Sequence, residues 1–262
     1  MVHNAAVPSH DTATLPTFYF YMPSGEQVSY CAHAAMGAAF ILHRQAKSKK
    51  EEIEFMTAEG VKNKAFISGK DVELGIQKNL REEHIDKEAV ELLLGQIGLT
   101  MDDINQFSEE EDSGSVPSWP LLNSSVARFK TLIPIKTLDL LHGANNPKNA
   151  KDFQDLCDSI DSTGVYLYAH VSRLGVPNEY ECRQFPRASG YPEDPATGIA
   201  ALALACSLEK SGMGNAEGRF VMNQGTAMKK HSRCNVRIED DMVFCSGTIE
   251  IDREKHISMD EM

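Results

Sequence analysis

Short blocks of alternating apolar and polar residues run along most of this chain, interrupted by two Ala-rich stretches with helical spacing. FYFYM (18–22) is aromatic, bounded by Pro23, Ser24 and Gly25, and predicts a strand. CAHAAMGAAFILHRQ (31–45) predicts a helix with a very apolar face. IEFMT (53–57), KAFIS (64–68) and VELGIQ (72–77) predict strands parted by Glu59-Gly60 and Ser68-Gly69. IDKEAVELLLGQIGL (85–99) predicts a helix whose acids Asp86 and Glu88 suit the dipole of its first turn.

The first 17 residues are small and mixed and read as an unstructured arm, and Lys47 to Lys50 as an exposed turn. Ser108 to Pro120 is acidic, then rich in Ser, Gly and Pro, and reads as a solvated linker. It suggests two lobes, 1–112 and 113–262. Beyond it, RFKTLIPI (128–135), GVYLYAHV (164–171) and EYECRQF (179–185) predict strands, and 137–143 and 150–160 short helices. A second Ala-rich helix is predicted from about Pro195 to Lys210. Three last strands cover 219–226, 235–239 and 242–251, with a hairpin turn at IEDDM. The class is α+β.

Each half thus holds a strand, a tight turn and an Ala-rich helix opened by small residues: Cys31-Ala32-His33, then Ala196-Thr197-Gly198. Two lobes aiming helix N-termini at one cleft would explain the echo, because those ends carry unpaired N–H groups and partial positive charge. Ala-rich helices packing closely in a core explain it equally well.

Composition narrows the function. The 262 residues hold 26 Lys and Arg against 38 Asp and Glu, a net charge of −12. That balance argues against a nucleic-acid partner and an anionic membrane surface. No apolar run reaches the roughly 20 residues of a spanning helix, and the opening lacks the pattern of a signal peptide. The six cysteines show no zinc spacing and read as reduced, mostly buried thiols of a cytoplasmic protein.

The most specific local signal is SGYPEDPATGIAA (189–201). Gly190 permits a tight turn, Asp194 suits an N-cap, and Pro195 suits the first helical position. By itself this is a good helix start. With the RQF before it, the segment resembles the phenazine-biosynthesis isomerase (PhzF-like) family. FYFYMPSGEQVSYCAHAAMGAA resembles that family's aromatic strand and C-G-H-A-T helix start. LLGQIGLTMDDI resembles its Leu-Gly-Leu helix end, and MNQGTAMKKHSRCNVRIEDDMVFCSGTIEI its final hairpin region. The likeness runs in order from Phe18 onward.

The resemblance implies a diaminopimelate-epimerase-like fold: two pseudo-symmetric lobes, each a mixed sheet wrapped round a central helix. Both Ala-rich helices would then be central, with Cys31 and Thr197 at one cleft. It implies a homodimer without cofactor or metal, acting on a small carboxylated, unsaturated metabolite by acid/base proton transfer, in specialised-metabolite biosynthesis. Carried over residue by residue, the family histidine is His33 and the aspartate Asp194. Ala32 and Ile199 stand where the family has Gly and Ser beside the substrate, and Thr197 and Gly198 supply helix-start N–H groups. Arg183 and Gln184 precede the motif as further candidates for the cleft wall, although a strand-end Arg is commonly a surface residue.

Three departures stand against the pattern. Met1 to Pro16 contains no glutamate, and the family's opening strands, helix and catalytic glutamate have no counterpart there, so the first lobe reads as N-terminally shortened. Ile199 replaces a hydroxyl. Ala32 replaces a glycine and would hinder close approach to the backbone. A piece of a longer protein, a short homologue covered by its partner subunit, and a protein that has lost catalysis all fit these departures. Glu26 and Cys31 are the candidates for a replacement acid/base, Cys31 because a helix N-terminus favours the thiolate. The alternative function is a catalytically inactive PhzF-like binding or regulatory protein. An unrelated α/β binding module requires that the pseudo-symmetry be missing.

Overall fold

The computed structural model describes residues 5–6, 15–21, 25, 27–46, 51–105, 119–171 and 178–251. The chain runs through β1 (Ala5–Ala6), β2 (Thr17–Phe18), β3 (Phe20–Tyr21), β4 (Gln27–Val28) and helix α1 (Ala32–Gln45). Then come β5 (Glu52–Thr57), β6 (Lys62–Ser68), β7 (Asp71–Gln77), β8 (Arg81–Glu83) and α2 (Lys87–Gln96). After a 3-10 turn at Met101–Asp103 follow β9 (Leu122–Ser125), β10 (Lys130–Pro134), α3 (Leu138–Gly143), α4 (Ala150–Ser159), β11 (Gly164–His170) and β12 (Glu179–Pro186). The chain ends in α5 (Gly198–Lys210), β13 (Arg219–Gln224), β14 (Ser232–Glu239) and β15 (Met242–Thr248).

The architecture is α+β, as the pattern predicted. Twelve strands form one mixed sheet in the order β2-β5-β6-β7-β15-β14-β13-β12-β11-β10-β9-β8. Its parallel pairs are β2 with β5, β10 with β11, and β12 with β13. The chain crosses between its halves twice. C-terminal β15 lies antiparallel on β7, and early β8 pairs with β9 at the far edge. Residue 112, the expected lobe boundary, falls outside the described residues.

Helices α1 and α5 share one core cluster with the sheet, while α2, α3 and α4 cover a second. Every residue of α5 from Ile199 to Leu208 is buried, the mark of a helix surrounded on all sides. Helix α1 buries Ala35, Ala39 and Phe40 against β5–β7 but leaves Ile41 exposed.

Several local expectations are corrected. The expected 18–22 strand is, over its described residues, parts of two short strands, β2 and β3. Phe18 stacks on Phe55 (centroids 4.3 Å apart) and Phe20 packs on Tyr30, but backbone pairing passes from β5 to β1 and β4 between them. The expected arm supplies β1, and Pro16 accepts a hydrogen bond from Met56. The 85–99 helix spans only 87–96, because Gly98 adopts a φ of +78° and Leu99 N–H closes back on Leu94 O. The linker ends in packed structure: Trp119 lies against Tyr168, His170 and Tyr180, and Pro120 O accepts from Tyr168 Oη. Lys47 to Lys50 and 108–118 lie outside the described residues.

Candidate active site

The two Ala-rich helices begin at the same place. A Cβ built on Gly198, the first residue of α5, would lie 2.9 Å from the Ala32 Cβ that opens α1. Position 198 is therefore glycine by contact, not by backbone angle. Ala35 N–H is bonded to Cys31 O and Ala201 N–H to Thr197 O. The N–H groups ahead of them have no intrahelical acceptor. Two positive helix poles thus converge, which favours a negative charge between them.

Helix α5 starts three residues later than predicted, with Thr197 at the N-cap. Asp194 ties the turn ahead of the helix and caps none of its N–H groups. Its Oδ2 accepts from Thr197 Oγ1 (2.6 Å) and its Oδ1 from Ala196 N–H (3.3 Å). Gln224 staples this turn from β13: Nε2 donates to Asp194 O (2.6 Å), and Oε1 accepts from Thr197 N–H (3.3 Å) and Tyr166 Oη (3.2 Å). Ser232 donates to Pro195 O. The next residue, Gly225, has a φ of +80°, and a Cβ there would meet Lys230 O at 2.1 Å.

His33 and Asp194 both line an open cleft of about 1190 Å³, which Tyr191, Pro192 and Lys230 also wall. Behind His33 sits the buried Cys31 thiol, 3.5 Å from Nδ1 and 3.4 Å from Nε2. Its hydrogen bond to the ring holds the imidazole above the usual histidine value. Loss of water around the ring opposes this, and the Cys31 and Asp194 charges add to it. Burial pushes the Tyr191 phenol up, helped by Asp194.

The cleft wall is braced by a buried ion pair. Arg183 Nε and Nη2 donate to Glu193 Oε1 and Oε2 at 2.9 and 2.8 Å. Arg183 Nη1 also donates to the carbonyls of Leu141 (3.0 Å), His142 (3.2 Å) and Ala144 at the C-terminus of α3. A cation there suits the helix dipole. The guanidinium stacks over Phe185 at 5.0 Å. Removing one member of such a pair costs about 3–5 kcal/mol.

The predicted residues therefore separate. His33 and Asp194 reach the cleft, and Cys31 supports His33. Ala32 and Gly198 meet at the seam between the helices, and Thr197 is the N-cap of α5. Ile199 is turned into the core and is 3% exposed. Arg183 is a buried brace, not a surface residue, and Gln184 is buried with neither amide atom hydrogen-bonded. Glu26 lies outside the described residues. Sequence reasoning missed Glu193, read only as a helix-start acid, and Lys130, read as part of a strand. Burial pushes the Lys130 amine down to about 7, with Arg128 adding and Asp194 opposing, and Nζ donates to Thr163 O at 3.1 Å. A lysine opening a strand that runs into Leu132 and Ile133 is the signal that could have marked it.

Comparison with known proteins identifies the family and agrees with the fold. The model of the phenazine biosynthesis-like protein family matches residues 18–251. A PhzF-family phenazine biosynthesis protein from Bacillus anthracis superposes with a TM-score of 0.72 at 19% identity, covering 94% of this chain and 81% of that one. A predicted epimerase from Pseudomonas aeruginosa gives 0.70 at 23% identity, over 93% and 79% of the two chains. A hydroxyproline epimerase from Agrobacterium vitis gives 0.55 at 13% identity, over 94% and 72%. No curated protein matches in sequence. Among the described residues no helix is long and apolar enough to cross a membrane. The fold is of the diaminopimelate-epimerase-like class, and the chain belongs to the phenazine biosynthesis-like protein family.

Proposed function

We propose that this protein is an isomerase or epimerase that moves a proton on a small carboxylated, unsaturated metabolite, without a cofactor. The observation that carries the reading is the Ala32–Gly198 contact, which joins two helix starts at the seam beside a cleft walled by His33 and Asp194. Proton transfer beside a carboxylate needs a group to accept the proton, a group to return one, and fixed dipoles for the charge that develops.

Asp194 has lone pairs left after its two hydrogen bonds and takes the carbon-bound proton. The electron pair moves into the conjugated acid, where helix-start N–H groups face the negative charge. His33, whose hydrogen bond to Cys31 favours its protonated form, returns a proton to the second carbon or the opposite face. Asp194 then loses its proton and His33 regains one through the open cleft. Cys31 is a positioning residue in this scheme. The family resemblance supports a cytoplasmic homodimer serving specialised-metabolite biosynthesis.

The test is deuterium uptake from D2O into small carboxylic acids that bind the protein, followed by NMR. Uptake is expected with the wild type. It should fall at least about 100-fold in Asp194→Asn and His33→Ala, the usual weight of a general acid or base. No uptake by any acid that binds would overturn the reading in favour of a binding protein.

A further inference from the structure

We propose that the pocket beside the cleft, between α3 and the turn joining β13 to β14, is a subsite for an ammonium group. It measures about 390 Å³, and its walls include Leu138, His142, Glu181, Asn223, His231 and Arg233. His142 also lines the proton-transfer cleft, so one imidazole separates the two.

Glu181 decides what this pocket takes. It is 8% exposed, its Oε1 is buried without a hydrogen-bond partner, and no ion pair among the described residues includes it. A carboxylate oxygen buried without a partner is costly. The neighbouring donors are engaged elsewhere. Asn223 Nδ2 donates to Glu179 Oε1 (2.8 Å) and Tyr180 O (3.4 Å). Arg233 Nη1 sits 3.8 Å from Glu179 Oε1, and its Nε donates to Asn235 Oδ1. Glu179 and Glu181 lie on one face of β12; the first is satisfied and the second is not.

A second buried polar atom without a partner, His142 Nδ1, belongs to a residue lining the same pocket, and it accepts in the tautomer that carries its proton on Nε2. One –NH3+ carries three donors and a positive charge. It can serve Glu181 and His142 together and leave one proton for water. A carboxylate or phosphate would face the Glu181 charge, and a hydroxyl would leave that charge unbalanced. Among the described residues no three His, Cys, Asp or Glu side chains are grouped to hold a metal ion.

The experiment is NMR of the full chain with labelled histidines, assigned by single substitution and titrated with n-propylammonium chloride. Sodium chloride and sodium propionate at equal ionic strength are the controls. A saturable shift of His142 is expected with the ammonium salt alone, weakened at least tenfold by Glu181→Gln. No saturable shift in the wild type, or binding by Glu181→Gln within twofold of it, would overturn the subsite. The wild-type titration decides the matter even if that variant folds poorly.

β-Alanine and γ-aminobutyrate identify the source of the amine. If it belongs to the molecule in the cleft, one of them binds at least tenfold more tightly than propylammonium and shifts His33 too. If the pocket takes a separate amine, all three bind alike and His33 stays still. The readout is binding, so failure of the subsite leaves the proton-transfer reading standing, and the reverse.

Discussion

His33 combines two conditions that rarely meet: its ring opens on a cleft, yet a buried thiol lies within 3.5 Å of both its nitrogens. Its raised pKa means that the folded protein keeps this proton above the usual value near 6.5. The sign for stability follows. The contribution is fully present below about 6.5 and is lost as pH rises through the folded-state midpoint. Histidine NMR should therefore place the His33 midpoint above about 6.5 in the wild type. Cys31→Ala should lower it, because the largest cause is gone while desolvation remains. A midpoint unmoved by that substitution would show that the thiol does not hold the proton. His33 and Asp194 were reached from the sequence through the family resemblance of the CAH and EDPATG segments, which by themselves read only as helix starts. Glu181, Glu193 and Lys130 were not. What distinguishes them is the partner each has or lacks across the fold, and one-dimensional spacing carries no record of that.

Among the elements, the pairing of α1 and α5 matters most, and one missing methyl permits it. Gly198→Ala would press a Cβ to 2.9 Å from Ala32. Overpacking of this kind costs about 1–3 kcal/mol. Chemical denaturation should show that loss in Gly198→Ala and its partial recovery in Gly198→Ala/Ala32→Gly. The coupling should exceed about 0.5 kcal/mol, the limit for independent sites; additive losses would mean that the helix starts do not press on each other. Both helices were visible as Ala-rich runs, and the start of α1 fell within a residue of its expected place. The start of α5 was misplaced because Asp194 and Pro195 imitate an N-cap and first turn. Gln224, 30 residues away in sequence, instead holds that turn outside the helix. Strands β8 and β9 (REE and LNSS) were missed because neither alternates apolar with polar; the pairing of β9 with β10 is what orders them.

In the whole molecule, β15 on β7 and β8 on β9 tie early and late parts of the chain into one sheet. The α+β class was readable from periodicity, whereas strand order was not, since it depends on partners more than 150 residues apart, as for Thr248 and Asp71. That long-range closure lets His33 from one half share a cleft with Asp194 from the other. The central claim is that these two residues serve one proton transfer. The most direct test is a double-mutant cycle on the deuterium-exchange rate with His33→Ala, Asp194→Asn and the double variant. Residues acting as a unit are strongly non-additive. The double variant should thus be no more than a few-fold slower than the slower single variant. Losses that multiply, or a single variant that keeps the wild-type rate, would contradict a shared transfer across the cleft.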